Sequence, residues 1–221
     1  MNRLLRFGAT VVLALTVSSA LALETDREEN PHEVVRQASE AVMSEVEEAQ
    51  VYAEEEPERF YNNLQDILDS FVDFRGFARS VMGAYASSER YRSLDKEGRA
   101  QLRDQLDRFT EVMRSGLVRT YGKGLLAFAG SRIELPELSE EEAARSRVAV
   151  SQLIYDDGGE PYVLVYHMGK GRDEGWKLRN LVIEDVNLGE IYRSQFESAA
   201  RKYDGDIDQV IANWTAVEID D

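Results

Sequence analysis

The strongest constraint on the fold is a change in the spacing of apolar residues along the chain. Up to about residue 125 they recur every three or four positions, which is typical of amphipathic helices. Between Arg147 and Glu184 they alternate with polar residues, which is typical of strands that bury one face. Helical spacing returns from Ile191. Helices on both sides of a strand region predict an α+β fold, in which helices cover one face of an antiparallel sheet.

The helical regions can be delimited from their apolar stripes and from Pro and Gly. We predict helices over Pro31–Tyr52, around Phe60–Leu68, over Phe74–Gly83, over Lys96–Tyr121, over Ile191–Tyr203 and over Ile207–Val217. Gly122 and Gly124 are expected to end the long fourth helix, and Asp206 to cap the last one.

The strand region predicts an antiparallel meander. We predict strands over Arg132–Leu135, Arg147–Tyr155, Tyr162–Met168 and Trp176–Glu184, with turns at Asp156–Gly159 and Gly169–Gly175. Alternation places Val148, Val150, Gln152 and Ile154 on one face of the second strand, and Trp176, Leu178, Asn180 and Val182 on one face of the last. A register error of one residue would reverse such a face.

Residues 1–22 have the three parts of a secretory signal peptide. Arg3 and Arg6 precede an apolar run over Phe7–Val17, and Ala20-Leu21-Ala22 provides a cleavage pattern of small residues. The run is shorter than the roughly 20 residues of a membrane-spanning helix. We therefore expect a cleaved signal peptide and an exported, single-domain mature chain over residues 23–221.

Composition excludes several classes of function. With 42 acidic and 26 basic residues the chain has a net charge of −16, which argues against binding to nucleic acid or to an anionic membrane surface. The absence of Cys excludes disulfides, thiol catalysis and a lipoprotein anchor. Two His leave little for a His-based metal centre. We expect no metal site and no cofactor.

Motifs that suggest chemistry fail when their spacing is checked. Asp204–Asp208 resembles the start of a calcium loop, but Gln209 and Thr215 stand where such a loop needs Gly and Glu. The Gly-Lys clusters lack the spacing of a phosphate-binding loop, and no Gly-x-Ser-x-Gly motif is present. We expect no catalytic residues and no enzyme. Two alternatives stay open: an exported hydrolase that uses a carboxylate pair, and an interaction scaffold of the NTF2-like type with a filled core.

Several stretches match one known family in their order and spacing. They are Asn30-Pro31, Val72-Asp73-Phe74, Val81-Met82-Gly83, Leu117 to Leu125, Val148 to Val150, Gly175 to Leu178, Val182 to Leu188, Tyr192 to Phe196 and Asp206 to Asp208. In these stretches the chain resembles the MlaC family, also called the toluene-tolerance family, whose members carry phospholipid across the periplasm. It departs from the family pattern at Arg179-Asn180-Leu181 and at Asp185, and its segment between Gly83 and Phe109 is longer by roughly three helical turns.

The resemblance implies a fold, a cargo and a set of partners. Helices would pack on a curved antiparallel sheet of the NTF2/cystatin-like type and enclose an apolar cavity. A monomer in the periplasm would carry phospholipid as its cargo between the inner and outer membranes and so maintain the lipid asymmetry of the outer membrane. Its partners would be an inner-membrane MCE-domain (MlaD-like) complex driven by an ABC ATPase, and an outer-membrane lipoprotein–porin (MlaA-like) complex.

The same resemblance predicts which residues line the cavity. Transferring two acyl chains of about 15 methylenes each into water costs on the order of 25 kcal/mol. The tails therefore need an apolar slot. The charged headgroup can stay in solvent, because burying it unpaired is unfavourable. We expect the slot to be lined by Val72, Phe74, Phe77, Val81, Met82, Leu117, Tyr121, Leu125, Val148, Val150, Leu164, Tyr166, Trp176, Leu178, Val186 and Leu188.

Overall fold

The computed structural model describes residues 30–155, 159–171 and 175–214. The predicted signal peptide, the end of the last predicted helix and parts of the two predicted turns lie outside these residues. The helices are α1 (Pro31–Ala49), α2 (Pro57–Asp69), α3 (Phe74–Met82), α4 (Ser88–Ser93), α5 (Lys96–Leu125), α6 (Glu140–Ala143), α7 (Leu188–Lys202) and α8 (Ile207–Ala212). The strands are β1 (Arg132–Glu134), β2 (Arg147–Tyr155), β3 (Tyr162–Lys170), β4 (Trp176–Ile183) and β5 (Val186–Asn187).

The five strands form one antiparallel sheet in the order β1-β2-β3-β4-β5. Ile154 of β2 lies opposite Ile133 of β1, and Val150 lies opposite Tyr166 of β3. All four residues of the predicted β2 face, including Val150 and Ile154, are buried. The sheet and the flanking helices confirm the predicted α+β fold with an antiparallel meander.

A β-bulge interrupts the pairing of β3 with β4. His167 lies opposite Asn180 and Met168 lies opposite Leu178, so Arg179 is an extra residue in β4. A bulge of this kind shifts the later part of the strand by one residue and reverses which side chains face the core. The prediction that Asn180 and Val182 share a face with Leu178 is therefore wrong. Beyond the bulge, Leu181 is the residue that packs against the buried helical side chains.

The buried apolar residues form three clusters rather than one continuous core. The largest joins α3, α5, α7 and α8 around Phe109, Tyr192 and Phe196. The second lies where Val34 and Val35 of α1 cover one end of the sheet. The third joins the end of α1 to α2 and to the last turns of α5. Ile154 and Leu164, on the inner face of the sheet, belong to none of the three clusters.

Four helix boundaries differ from those predicted by more than one residue. The helix α1 ends at Ala49 rather than Tyr52, and α8 ends at Ala212 rather than Val217. The other two, the end of α5 and the start of α7, each have a local reason. The helix α5 continues through Gly122 to Leu125 because Gly122 is buried against α2, where an added Cβ would lie 3.3 Å from the Tyr61 ring. The helix α7 begins at Leu188 rather than Ile191, because the Asn187 side chain accepts a hydrogen bond from the Glu190 amide and caps the helix there.

The predicted cap of the last helix is confirmed. The Asp206 carboxylate accepts a hydrogen bond from the Gln209 amide at 3.1 Å, and α8 follows directly. No helix within the described ranges is long and apolar enough to cross a membrane.

Candidate ligand-binding cavity

An apolar cavity of about 230 Å³ lies between the inner face of the sheet and the helices. Its helical wall is formed by α1, α3 and the last turns of α5, and its sheet wall by β2, β3 and β4. The cavity lies at the junction of the three core clusters, where none of them fills the space. Its described lining contains no carboxylate.

The structure brings ten of the sixteen predicted slot residues together around this cavity. They come from the start of α3, the end of α5, the two middle strands and the start of α7. They are Val72, Phe74, Phe77, Leu117, Tyr121, Leu125, Leu164, Tyr166, Leu178 and Leu188.

Two phenols belong to this lining and are neutral at physiological pH. Burial raises the pKa of Tyr166, which faces the cavity from β3. Burial also raises the pKa of Tyr121, whose hydroxyl lies 3.2 Å from the Tyr192 hydroxyl in the largest core cluster. Both rings therefore present apolar surface without adding charge to the cavity.

Comparison with known proteins bears on what such a cavity holds. The sequence model of the family described as MlaC protein matches residues 36–216, which is most of the chain. The chain belongs to the MlaC family. This confirms the family resemblance expected from the sequence.

Two relatives of this MlaC-family chain are informative. It is 27% identical over 214 residues to the toluene tolerance protein Ttg2D of Pseudomonas putida, an alignment that covers 97% of this chain and 91% of that protein. Its fold is similar to that of the phospholipid-binding protein from Ralstonia solanacearum, which was solved in complex with a phospholipid. The TM-score is 0.68 at 19% identity, with 83% of this chain and 93% of the other covered.

The other six predicted residues lie outside the cavity. Val81 and Met82 face the other helices and are fully buried in the largest cluster, against which Val186 also packs. Val148, Val150 and Trp176 lie beneath Val34 and Val35, in the second cluster. The buried face of β2 was predicted correctly. Val148 and Val150 on that face were expected to line the slot, but α1 covers them.

Three groups of residues line the cavity without having been predicted from the sequence. The largest is the inner face of α1, comprising Val34, Val35, Ala38, Ser39, Val42 and Met43. The amphipathic stripe of α1 was visible in the sequence, but nothing there indicates that it faces a space. The second group is further along the strands, with Gln152, Ile154, Met168, Leu181 and Ile183. The third is Leu68 and Phe71, next to the start of α3.

A wider polar groove of about 1540 Å³ lies beside the cavity, between α3, α7 and the ends of β2 and β3. Met168, Arg179 and Asn180 line both spaces. Arg179 forms an ion pair with Asp73, and Asn180 donates to the Asn187 side chain at 2.8 Å and accepts from the Gly189 amide at 2.9 Å. These contacts form a polar wall between the apolar cavity and the groove.

No group of three or more His, Asp or Glu side chains in the part of the chain that the structure describes could hold a metal ion.

Proposed function

We propose that this chain is a periplasmic phospholipid carrier, which holds acyl chains in the apolar cavity and leaves the charged headgroup in water. The observation that carries the proposal is the cavity itself, because the core is divided into three clusters around an apolar space. An apolar cavity costs about 24 cal/mol per Å³ in mutational data, so about 230 Å³ costs about 5 kcal/mol while it is empty. An acyl chain recovers that cost, and its own transfer from water adds about 0.8 kcal/mol per methylene.

The volume indicates that loading requires the cavity to widen. A methylene is close in size to a water molecule, which occupies about 30 Å³ in the liquid, so about 230 Å³ holds about eight methylenes. Two acyl chains need several times more. The helix α1 is the wall suited to move, since it packs in the two smaller clusters while α3, α5 and α7 share the largest one.

The relatives support the same cargo. The family is MlaC, and the phospholipid-binding protein from Ralstonia solanacearum holds a phospholipid on a fold similar to this one. The phospholipid held on this similar fold is the finding among the comparisons that supports phospholipid as the cargo.

The proposal extends to a route and to partners. After removal of the signal peptide, the protein acts as a monomer in the periplasm and carries phospholipid between the two membranes, which maintains outer-membrane lipid asymmetry. It exchanges lipid with an inner-membrane MCE-domain (MlaD-like) complex driven by an ABC ATPase, and with an outer-membrane lipoprotein–porin (MlaA-like) complex. Both contacts are transient because lipid must be passed on. The cycle uses neither a catalytic residue nor a cofactor, since no covalent bond changes.

A transfer assay between two vesicle populations tests the carrier function. Donor vesicles contain a fluorescent phospholipid with a quencher, acceptor vesicles contain neither, and the purified mature protein is added in catalytic amounts. The proposal predicts dequenching at a rate proportional to protein concentration. Transfer no faster than without the protein would contradict it.

A further inference from the structure

A polar side chain lies in the middle of the apolar sheet wall. Gln152 is 3% exposed, although it lines the cavity from β2 between Val150 and Ile154. Opposite it on α1 lies Ser39, which is 8% exposed and lines the same cavity. Burying an amide and a hydroxyl in an apolar wall is unfavourable unless each finds hydrogen-bond partners.

One half of the Gln152 amide has a partner and the other half does not. The Ser39 hydroxyl donates to Gln152 Oε1 at 2.8 Å, and Ser39 also interacts with the neighbouring Tyr166 phenol. This contact orients the amide so that the oxygen faces Ser39. The amide nitrogen, which carries two N–H donors, has no hydrogen-bond partner in the described part of the chain.

The other polar side chains of the cavity wall all have partners. Arg179 pairs with Asp73, Asn180 bonds to Asn187, and the Tyr121 hydroxyl bonds to Tyr192. Nε2 of Gln152 is not enclosed by protein atoms, so this donor obtains its hydrogen bond from whatever occupies the cavity, either water or a ligand that offers an acceptor. The cavity therefore has one place where a ligand oxygen is favoured over a methylene.

We propose that Gln152 donates a hydrogen bond from Nε2 to an ester carbonyl oxygen of the bound phospholipid, and that Ser39 positions the amide for this contact. The inference rests on the proposed function, because it assumes that a glycerophospholipid enters the cavity. Along such a lipid, the two ester carbonyls are the acceptors that adjoin the acyl chains, and the chains beyond them carry none. Gln152 thereby sets how deeply the lipid is seated and distinguishes ester-linked from ether-linked chains.

A competition between two matched lipids tests this contact. The delipidated protein is equilibrated with vesicles that contain equal amounts of diacyl and dialkyl ether phosphatidylcholine of the same chain length, and native mass spectrometry counts the two complexes. The wild type should favour the diester lipid about tenfold, which is the worth of one neutral hydrogen bond in a buried site. Gln152→Met keeps the shape but not the donor, so it should bind both lipids equally.

Two further variants separate the contact from general damage to the cavity. Leu153→Met changes the residue that follows Gln152 on β2, whose side chain lies on the opposite face of the sheet and outside the cavity lining, and it should keep the preference for the ester lipid. Ser39→Ala removes the hydroxyl that holds the amide and should reduce the preference without abolishing binding. If Gln152→Met does not fold, Ser39→Ala alone tests the same contact.

The outcomes separate this inference from the proposed function. A wild type that binds diester and diether lipid equally overturns the contact and leaves the carrier function standing, with water then satisfying the amide. A preference for the ester lipid that persists in Gln152→Met also overturns the contact. If Gln152→Met does not fold, a preference that Ser39→Ala leaves unchanged overturns it. A wild type that binds neither lipid contradicts the carrier function itself.

Discussion

Arg179, the extra residue of the β4 bulge, forms an ion pair with Asp73, the residue that caps α3. The Asp73 carboxylate also accepts a hydrogen bond from the Gly76 amide at 2.8 Å. An added Cβ at Gly76 would overlap one carboxylate oxygen of Asp73, so a larger residue at this position would displace the Asp73 side chain. Asp73 and its neighbours also bond to β4 through the main chain, since the Asp73 amide donates to the Leu178 carbonyl at 3.0 Å. This corner fixes the start of α3, and with it Phe74 and Phe77, against the cavity.

Removing the Asp73 side chain should destabilise the protein more than removing an ordinary helix cap. Asp73→Ala loses a cap worth about 1 kcal/mol and leaves the half-buried Arg179 guanidinium without its partner, for a total of about 1–2 kcal/mol. Asp95→Ala is the matched control, because Asp95 caps α5 through the Gly98 amide in the same way and has no ion pair in the described ranges. Urea unfolding of both variants measures the difference. Equal losses would show that the ion pair contributes nothing.

Filling the cavity from α1 should block lipid binding without unfolding the protein. Ala38 lines the cavity, so Ala38→Phe places an aromatic ring in the space that the acyl chains would occupy. We expect little or no bound phospholipid and an unchanged or higher melting temperature, because the ring fills a void. Ser44→Phe is the control, since Ser44 lies at an exposed position of the same helix. Normal lipid loading in Ala38→Phe would show that the lipid binds elsewhere.

Delipidation should lower the melting temperature substantially. An empty cavity of about 230 Å³ costs about 5 kcal/mol, and in a domain of this size each kcal/mol moves the melting temperature by about 2–4 °C. We expect a loss of about 10–20 °C on removing lipid with organic solvent or detergent, and recovery on reloading. Calorimetry of the loaded, stripped and reloaded protein measures it. Identical melting temperatures would mean that the cavity is not where the lipid resides.

Acid should weaken the contact between α8 and α5. Hydrogen bonds from Arg108 and then from Gln105 lower the pKa of Asp208 below its ordinary value of 3.8. The pKa of Asp208 is lower in the folded protein than in the unfolded chain. The stabilisation from its charge is therefore complete above pH 3.8 and is lost as the pH falls through the pKa of the folded protein. Asp208→Asn should therefore melt below the wild type at pH 6, and the gap should close towards pH 3. A gap that does not depend on pH would contradict this role of the charge.

The sequence predicted the elements well because their signals are local. The alternation along β2 identified its buried face from Val148 to Ile154, and Asp206 identified the start of α8, since both depend on residues close in the chain. The predicted end of α5 was wrong because Gly122 packs against Tyr61 of α2, and a tertiary contact of this kind leaves no signal in the local sequence.

The cavity was harder to predict because its position depends on where helices cross the sheet. Val150 and Gln152 lie on the same face of β2, yet Val34 and Val35 cover the first while the second lines open space. The bulge at Arg179 reversed the face of β4 and brought Leu181 inward, and the alternation carries no signal for such an insertion. Apolar patterning identifies what is buried, and only the packing decides whether it faces another side chain or a ligand.

Native mass spectrometry of the purified mature protein, followed by organic extraction and lipid identification, tests the central claim most directly. The account predicts a complex whose added mass equals that of glycerophospholipid at a defined stoichiometry, and which Ala38→Phe fails to form while Ser44→Phe still forms it. A protein that purifies without lipid and does not take up phospholipid from vesicles would contradict the claim that the cavity between α1 and the sheet carries this cargo.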